Sequence, residues 1–301
     1  MKAPRIRTTV VGSYPMPDWL AAAPSEQALE DAMRVVLHTQ EQAGIDLVCD
    51  GELYRFDPNH PETNGMIEYF TRPMQGIRSA IGFSEWLAYS KAAGMRFRSR
   101  PPGVVEGPVR AGTLNLSLAC ARAKRLAAKP LKFTLTGPHM LAKTLHDLHY
   151  RSPQKLAHAL ADVLAAQVKH LDADVVQVDE ANLPGHPNEW QWAAETINKV
   201  LKAVPKKARA AVHLCFGNYG GQSIQKPQSG WMYLILPLPR TFSALSMARA
   251  MSLGVSISVR LMSMTPRPKP MSRRRPLNTA SSSGGRCATS MTMWSARSAF
   301  R

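Results

Sequence analysis

His213 and Cys215 stand two residues apart in "AVHLCFGNYGG", after a short apolar lead and before a glycine-rich exit. On a strand, side chains so spaced point to one side, and an imidazole beside a thiolate suits zinc. Zinc needs at least three protein ligands even in an open catalytic site, so this pair is at most half of a metal centre. A packed cysteine beside a hydrogen-bonded histidine is the plainer reading of the same spacing. Three further polar groups follow apolar runs. "VDEANLP" sets Asp179 and Glu180 directly after the run "VVQV", and adjacent acids after an apolar strand are commoner at active sites than in plain turns; "CDGELYR" supplies Asp50, Glu52 and Arg55. In "VVGSYP", Gly12 and Ser13 could offer backbone N–H groups to an anion. Taken singly, these are also compatible with solvated loop acids and an ordinary glycine turn.

The elements that must position these groups are short strands alternating with helices. Strand-like runs occur at "RTTVVGS", "GIDLVCD", "GVVEGPV", "LKFTLTG", "ADVVQVD" and "RAAVHLC". Between Ser25 and Ala43, Leu29, Met33, Val36 and Leu37 form one helical face, with Ser25 as N-cap and Gly44 as the stop. A second helix spans Ser152 to Leu171, with Leu156, Leu160, Val163, Leu164, Val168 and Leu171 on one face and Pro153 in its first turn. Alternation of this kind predicts an α/β fold with a parallel sheet covered by helices. The polar residues at the strand ends favour a (β/α)8 TIM barrel, whose active sites lie at that face. No GxGxxG follows the first strand, which weighs against a dinucleotide fold. The barrel is expected to be incomplete after about strand six.

Composition changes near residue 229. The chain has 301 residues and a formal charge of +17, with 38 Lys and Arg against 21 Asp and Glu. Residues 229–301 hold ten Arg, one Lys, no Asp or Glu, and eight of the fifteen Met. The first 228 residues therefore keep 27 basic and 21 acidic residues, a net of +6. Two domains are expected: 1–228, the barrel, and 229–301, an atypical basic tail. A disordered basic tail would suit "TPRPKPMSRRRP", but "WMYLILPLP" and "MSLGVSISVRLM" are too apolar for one. Out-of-frame translation is the favoured reading, because a sudden and total loss of acidic residues is hard to select for. The basic clusters of the first part lack interleaved aromatics, so no nucleic-acid partner is expected. No apolar run has the length of a membrane span or signal peptide, so no membrane partner and a cytoplasmic location are expected. Four scattered cysteines do not suggest a disulfide framework.

In order, the motifs resemble the catalytic barrel of cobalamin-independent methionine synthase, within a wider group of zinc-dependent thiol alkyltransferases. The family's opening "TT-x-x-GS-[FY]-P" turn is matched by Thr8 to Pro15. Its "GE…R…M-x-EYF" stretch is matched by Gly51, Glu52, Arg55 and Met66 to Phe70. Its "TGP" turn is matched by Thr136 to Pro138, its "Q-[IV]-DE" strand end by Gln177 to Glu180, and its "H-x-C" by His213 and Cys215. The resemblance covers roughly residues 5 to 225. It implies Zn²⁺ as cofactor, with His213 and Cys215 as metal ligands. It also implies that the Val11 and Ser13 backbone, Glu52 and Asp179 hold the amino and carboxylate groups of a homocysteine-like thiol. Coordination to zinc would deprotonate that thiol, and the thiolate would attack a methyl carbon of a folate or other donor.

The sequence also departs from the family. The position of a folate-stacking Trp in the long enzymes holds Thr144, which weakens the case for a folate polyglutamate donor. The family's remaining zinc ligands, a Glu and a Cys, and its His proton donor come from strands seven and eight. Residues 229–301 hold no Glu, Asp or His, and Cys287 in "GGRCATS" lacks the family's Asp-Cys-Gly surroundings. The leading expectation is a zinc-dependent methyltransferase acting on homocysteine or a similar small thiol. The alternatives are an inactive, truncated homologue without zinc, and alkyl transfer to another thiol such as coenzyme M.

Overall fold

A computed structural model of the chain describes residues 7–91, 100–183, 186–214, 218–219, 222–223 and 234–237. In chain order its elements are α1 (Asp18–Ala22), α2 (Glu26–Gln42), α3 (Glu68–Thr71), β1 (Gln75–Arg78), α4 (Phe83–Lys91), β2 (Val104–Arg110), α5 (Leu116–Leu126), β3 (Lys132–Thr136), α6 (Pro138–Thr144), β4 (His146–Asp147), α7 (Pro153–Val168), β5 (Val175–Glu180), α8 (Trp190–Ala203), β6 (Arg209–Leu214), β7 (Asn218–Tyr219), β8 (Gln222–Ser223) and β9 (Leu234–Pro237). Both helices expected from periodicity form; the first has the expected ends, and the second starts as expected but ends at Val168, short of Leu171. The Ser25 hydroxyl accepts from Ala28 N–H at the start of α2, and Gly44, at φ +77°, follows its last turn. Ser152 caps α7, with Pro153 as its first residue.

Five parallel segments lie side by side. Thr9 bridges to Leu47, and Val48 to Leu131. From there β3 pairs with β5 and β5 with β6, in register from Lys132↔Val175 and from Val175↔Arg209. This is the parallel wall of an α/β barrel, and it is not closed among the described residues. Side chains alternate across the wall. Phe133, Leu135, Val176, Val178, Val212 and Leu214 face outward and join the main apolar cluster with Leu156, Leu160 and Leu164 of α7 and Ile197 and Val200 of α8. Lys132, Thr134, Thr136, Gln177, Asp179 and His213 occupy the alternate positions and are buried all the same.

One strand expected in the barrel lies elsewhere. The "GVVEGPV" run forms β2, which pairs antiparallel with β1 and parallel with β4 in a separate three-stranded sheet. The reason is visible in its residues. Gly107 and Pro108 interrupt it, Pro108 cannot donate to a ladder, and it is only partly buried where β3 is buried throughout. Beyond Ser229, the apolar "LILP" forms β9, which pairs antiparallel with β6, from Ala211↔Pro237 to Leu214↔Leu234. No parallel strand follows β6 among the described residues. No helix among them is long and apolar enough to cross a membrane.

The core makes a direct claim on stability. Leu160 of α7 is fully buried, whereas Leu118 of α5 is 62% exposed. Leu160→Ala should destabilise the chain by about 2–5 kcal/mol in urea unfolding. Leu118→Ala should change it by no more than about 0.5 kcal/mol.

Candidate functional site

The mouth is built where the parallel segments end. The second segment leaves its strand through Gly51 and Glu52, both left-handed, at φ 75° and 61°. For Glu52 this is a costly conformation, the kind that clusters at functional sites. The turn is held by the Asp50 carboxylate, which accepts from Glu52 N–H at 2.9 Å. A short 3-10 turn, Leu53–Arg55, then brings Arg55 back over Glu52, with Nη1 2.9 Å from Oε2. Arg55 also donates through Nη2 to the Thr134 carbonyl (2.6 Å) and hydroxyl (2.8 Å) on β3. Its guanidinium lies over the rings of Tyr54, Tyr69 and Phe70.

Glu52 accepts from the Ser13 hydroxyl through Oε2 and from the Thr134 hydroxyl through Oε1. It thereby joins the first segment, the second segment and β3. Gly12 has to be a glycine here, since a Cβ would lie 2.3 Å from Glu52 Oε1. On the other side of the mouth, Gln177 of β5 donates to the Val11 carbonyl (3.2 Å) and to Asp179 Oδ1 (2.6 Å). That same Asp179 oxygen lies 3.0 Å from His213 Nδ1 on β6, its cross-strand neighbour. The Lys132 ammonium, buried beneath, donates to the carbonyls of Val10 and Val11 and to Gln177 Oε1.

Val11, Ser13, Glu52, Asp179 and His213 are therefore brought to one end of the barrel wall. Cys215 and Cys287 lie outside the described residues. Glu180 adjoins Asp179 but faces the other way. Its carboxyl accepts from the backbone N–H groups of His139 (3.0 Å) and Met140 (2.9 Å), at the start of α6. Sequence reasoning missed Lys132, Thr134 and His139. The signal available for Lys132 and Thr134 was their alternation with Phe133 and Leu135 in "LKFTLTG", which puts a lysine and a threonine on the inner face of a buried strand. Thr144 is fully buried, its hydroxyl donating to the Leu141 carbonyl (2.8 Å).

The buried acids are shifted upward. Burial raises Asp50 to about 6, with Arg55 pulling the other way. Burial raises Glu180 to about 8, against its two backbone donors. Since the value for Glu180 in the fold lies above its ordinary 4.5, the fold favours the protonated form. Its contribution to stability is complete below about pH 4.5 and is lost as pH rises towards about 8. Glu180→Gln keeps the shape without the ionisation. Its stability relative to the parent chain should therefore rise between pH 5 and pH 8, as measured by urea unfolding across that range.

The model of the cobalamin-independent synthase catalytic domain matches residues 6–225. The methionine synthase of Sulfurisphaera tokodaii is 30% identical over 231 residues, which are 72% of this chain and 63% of that protein. The 2-hydroxypropyl-CoM lyase of Xanthobacter autotrophicus is 30% identical over 240 residues, 74% of this chain and 59% of that one. A solved B12-independent methionine synthase from Shewanella sp. W3-18-1, in complex with selenomethionine, superposes with a TM-score of 0.56 at 27% identity. That match covers 70% of this chain and 61% of the solved one. The chain thus spans about three fifths of the length of these relatives. With a model that matches most of its length, and motifs that fall at the strand ends of one parallel wall, the chain belongs to the family of cobalamin-independent synthases, in the part that is their catalytic domain.

Proposed function

We propose that the chain serves transfer of a methyl group, or another alkyl group, to the thiol of homocysteine or a similar small thiol, and that the strand-end network is its acceptor site. The observation that carries this reading is the arrangement of Glu52 and Asp179 on either side of a segment, Val11–Ser13, whose backbone carbonyls are held by side chains of neighbouring segments. Two buried carboxylates offer charge-assisted hydrogen bonds to a substrate ammonium. The N–H groups at Gly12 and Ser13 suit its carboxylate. Held at both ends, an amino-acid thiol has its sulfur directed by the site rather than by diffusion. The relatives support the reaction class, since one is named a methionine synthase and another a 2-hydroxypropyl-CoM lyase.

The zinc implied by the sequence resemblance meets an incomplete donor set. His213 fits the role, because a carboxylate at Nδ1 fixes the ring and the tautomer in the manner of a metal-ligating histidine. Yet no group of three or more His, Cys, Asp and Glu side chains able to hold a metal occurs among the described residues. Past Leu214 the sequence holds Cys215 and Cys287 as its only such donors. The described residues do not make up the three protein ligands that zinc needs, and no step of the reaction is assigned to the metal. This favours a second reading, in which the chain binds the acceptor thiol without turning it over.

Calorimetry with L-homocysteine tests the acceptor site. Asp179→Asn and Glu52→Gln should each weaken binding about tenfold or more, the size of one charge-assisted bond. Equal affinity in parent and variants would sink the reading. Zinc measured per chain, with His213→Ala as control, separates the two functions. About one zinc, lost in the control, supports methyl transfer with a further donor completing the site. Zinc absent from both supports binding alone.

A further inference from the structure

Three consecutive carbonyls of the first segment end on buried donors. The Lys132 ammonium takes those of Val10 and Val11, the latter at 2.9 Å. The Cys49 thiol donates to that of Gly12 at 3.0 Å. Carbonyls of a regular strand alternate in direction, so two neighbours meeting one ammonium mark the point where the segment leaves strand geometry. The next residues are pinned as well: Ser13 through its hydroxyl on Glu52, and Tyr14 N–H on the Gly51 carbonyl at 2.9 Å. In a trans peptide the N–H lies opposite the C=O. Turning the carbonyls of Val10, Val11 and Gly12 onto Lys132 and Cys49 therefore turns the N–H groups of Val11, Gly12 and Ser13 away from those donors. Successive N–H groups of this kind make an anion-binding concavity.

Lys132 is itself almost completely buried, at 1% exposure. A lysine so placed is almost never found without partners, and this one spends all three of its N–H donors on Val10, Val11 and Gln177. Gln177 in turn holds Asp179. One ammonium thus fixes both the segment facing a carboxylate and, through Gln177, the acid facing an ammonium. Its positive charge lies among Asp50, Glu52 and Asp179, so removing it would leave Arg55, already paired with Glu52, as the cation facing those acids.

We propose that Lys132 is a positioning residue for carboxylate recognition: by holding the Val10 and Val11 carbonyls it aims the N–H groups of Gly12 and Ser13 at the carboxylate of an α-amino-acid thiol. The inference rests on the acceptor-site reading above and adds to it the residue that aims the carboxylate-binding N–H groups.

The test compares two thiols that differ only in the carboxylate, L-homocysteine and 3-aminopropane-1-thiol, titrated by calorimetry into the full chain and into Lys132→Met. The unaltered chain should prefer homocysteine. Lys132→Met should weaken homocysteine about tenfold or more, with 3-aminopropane-1-thiol changed by less than about threefold. A merely structural lysine predicts equal losses for the two ligands, and that result, or no loss for either, overturns the proposal. An unaltered chain that binds both thiols equally overturns it too and leaves the acceptor-site reading standing. An unaltered chain that binds neither removes both. Far-UV circular dichroism reports whether the variant folds. Should Lys132→Met not fold, Lys132→Gln keeps an N–H donor without the charge and serves the same comparison.

Discussion

The mouth depends on the ion pair between Arg55 and Glu52. Both side chains are removed from water, at 2% and 6% exposure, and burying two charges is stabilising only when every remaining lone pair and proton is also used. Here those needs dictate the neighbours. Arg55 takes the Thr134 carbonyl and hydroxyl, and Glu52 takes the hydroxyls of Ser13 and Thr134. Three chain segments far apart in sequence are drawn to one point because the pair has no other means of satisfaction. The left-handed backbone at Gly51 and Glu52 belongs to the same demand, since it turns the acid back towards Arg55 three residues later. Aromatic rings of Tyr54, Tyr69 and Phe70 close off water from the guanidinium, which strengthens the pair and makes loss of either partner expensive.

The same logic divides the two faces of β3, β5 and β6. Outward positions are apolar and dissolve into the helices, so they carry the stability of the wall. Inward positions near the strand ends carry Lys132, Thr134, Gln177, Asp179 and His213. Barrel interiors are usually filled by branched apolar side chains, and a polar interior persists only as a connected network. That network runs without a break from Val11 through Gln177 and Asp179 to His213. A change at any member is therefore felt by the others, and single-site effects in this group should not add.

Much of this was legible in the sequence, for physical reasons that can be named. Helices α2 and α7 declare themselves by period, cap and stop, because each buries one face and ends on a residue that satisfies its terminus. Asp179 and His213 declare themselves because an apolar strand leads directly into them. What was not legible came from the tertiary level. The "GVVEGPV" run has a strand's composition, and only its Gly-Pro interruption hints that it pairs outside the barrel wall. The alternation in "LKFTLTG" puts Lys132 on the inner face of its strand, but nothing in the sequence says that the Val10 and Val11 carbonyls converge on it. The antiparallel pairing of β9 with β6 cannot be read from "LILP", since an apolar strand without alternation has no preferred direction.

The two halves of the chemistry are separable in this chain, and the separation follows from where each set of residues sits. The proposed binding of an amino-acid thiol draws on segments that come before residue 215 and support one another through buried bonds. Metal chemistry needs donors beyond His213, and past Leu214 the sequence contributes only cysteines, with no carboxylate or imidazole. The hydrogen bond from His213 to Asp179 is where the halves meet, because Asp179 both fixes the imidazole and faces the mouth. An acceptor ammonium on the second oxygen of Asp179 would draw charge from the carboxylate that holds the imidazole, so the two sites would be coupled through this one side chain. Such a coupling is reciprocal by thermodynamic necessity: the factor by which the acceptor changes metal affinity is the factor by which the metal changes acceptor affinity.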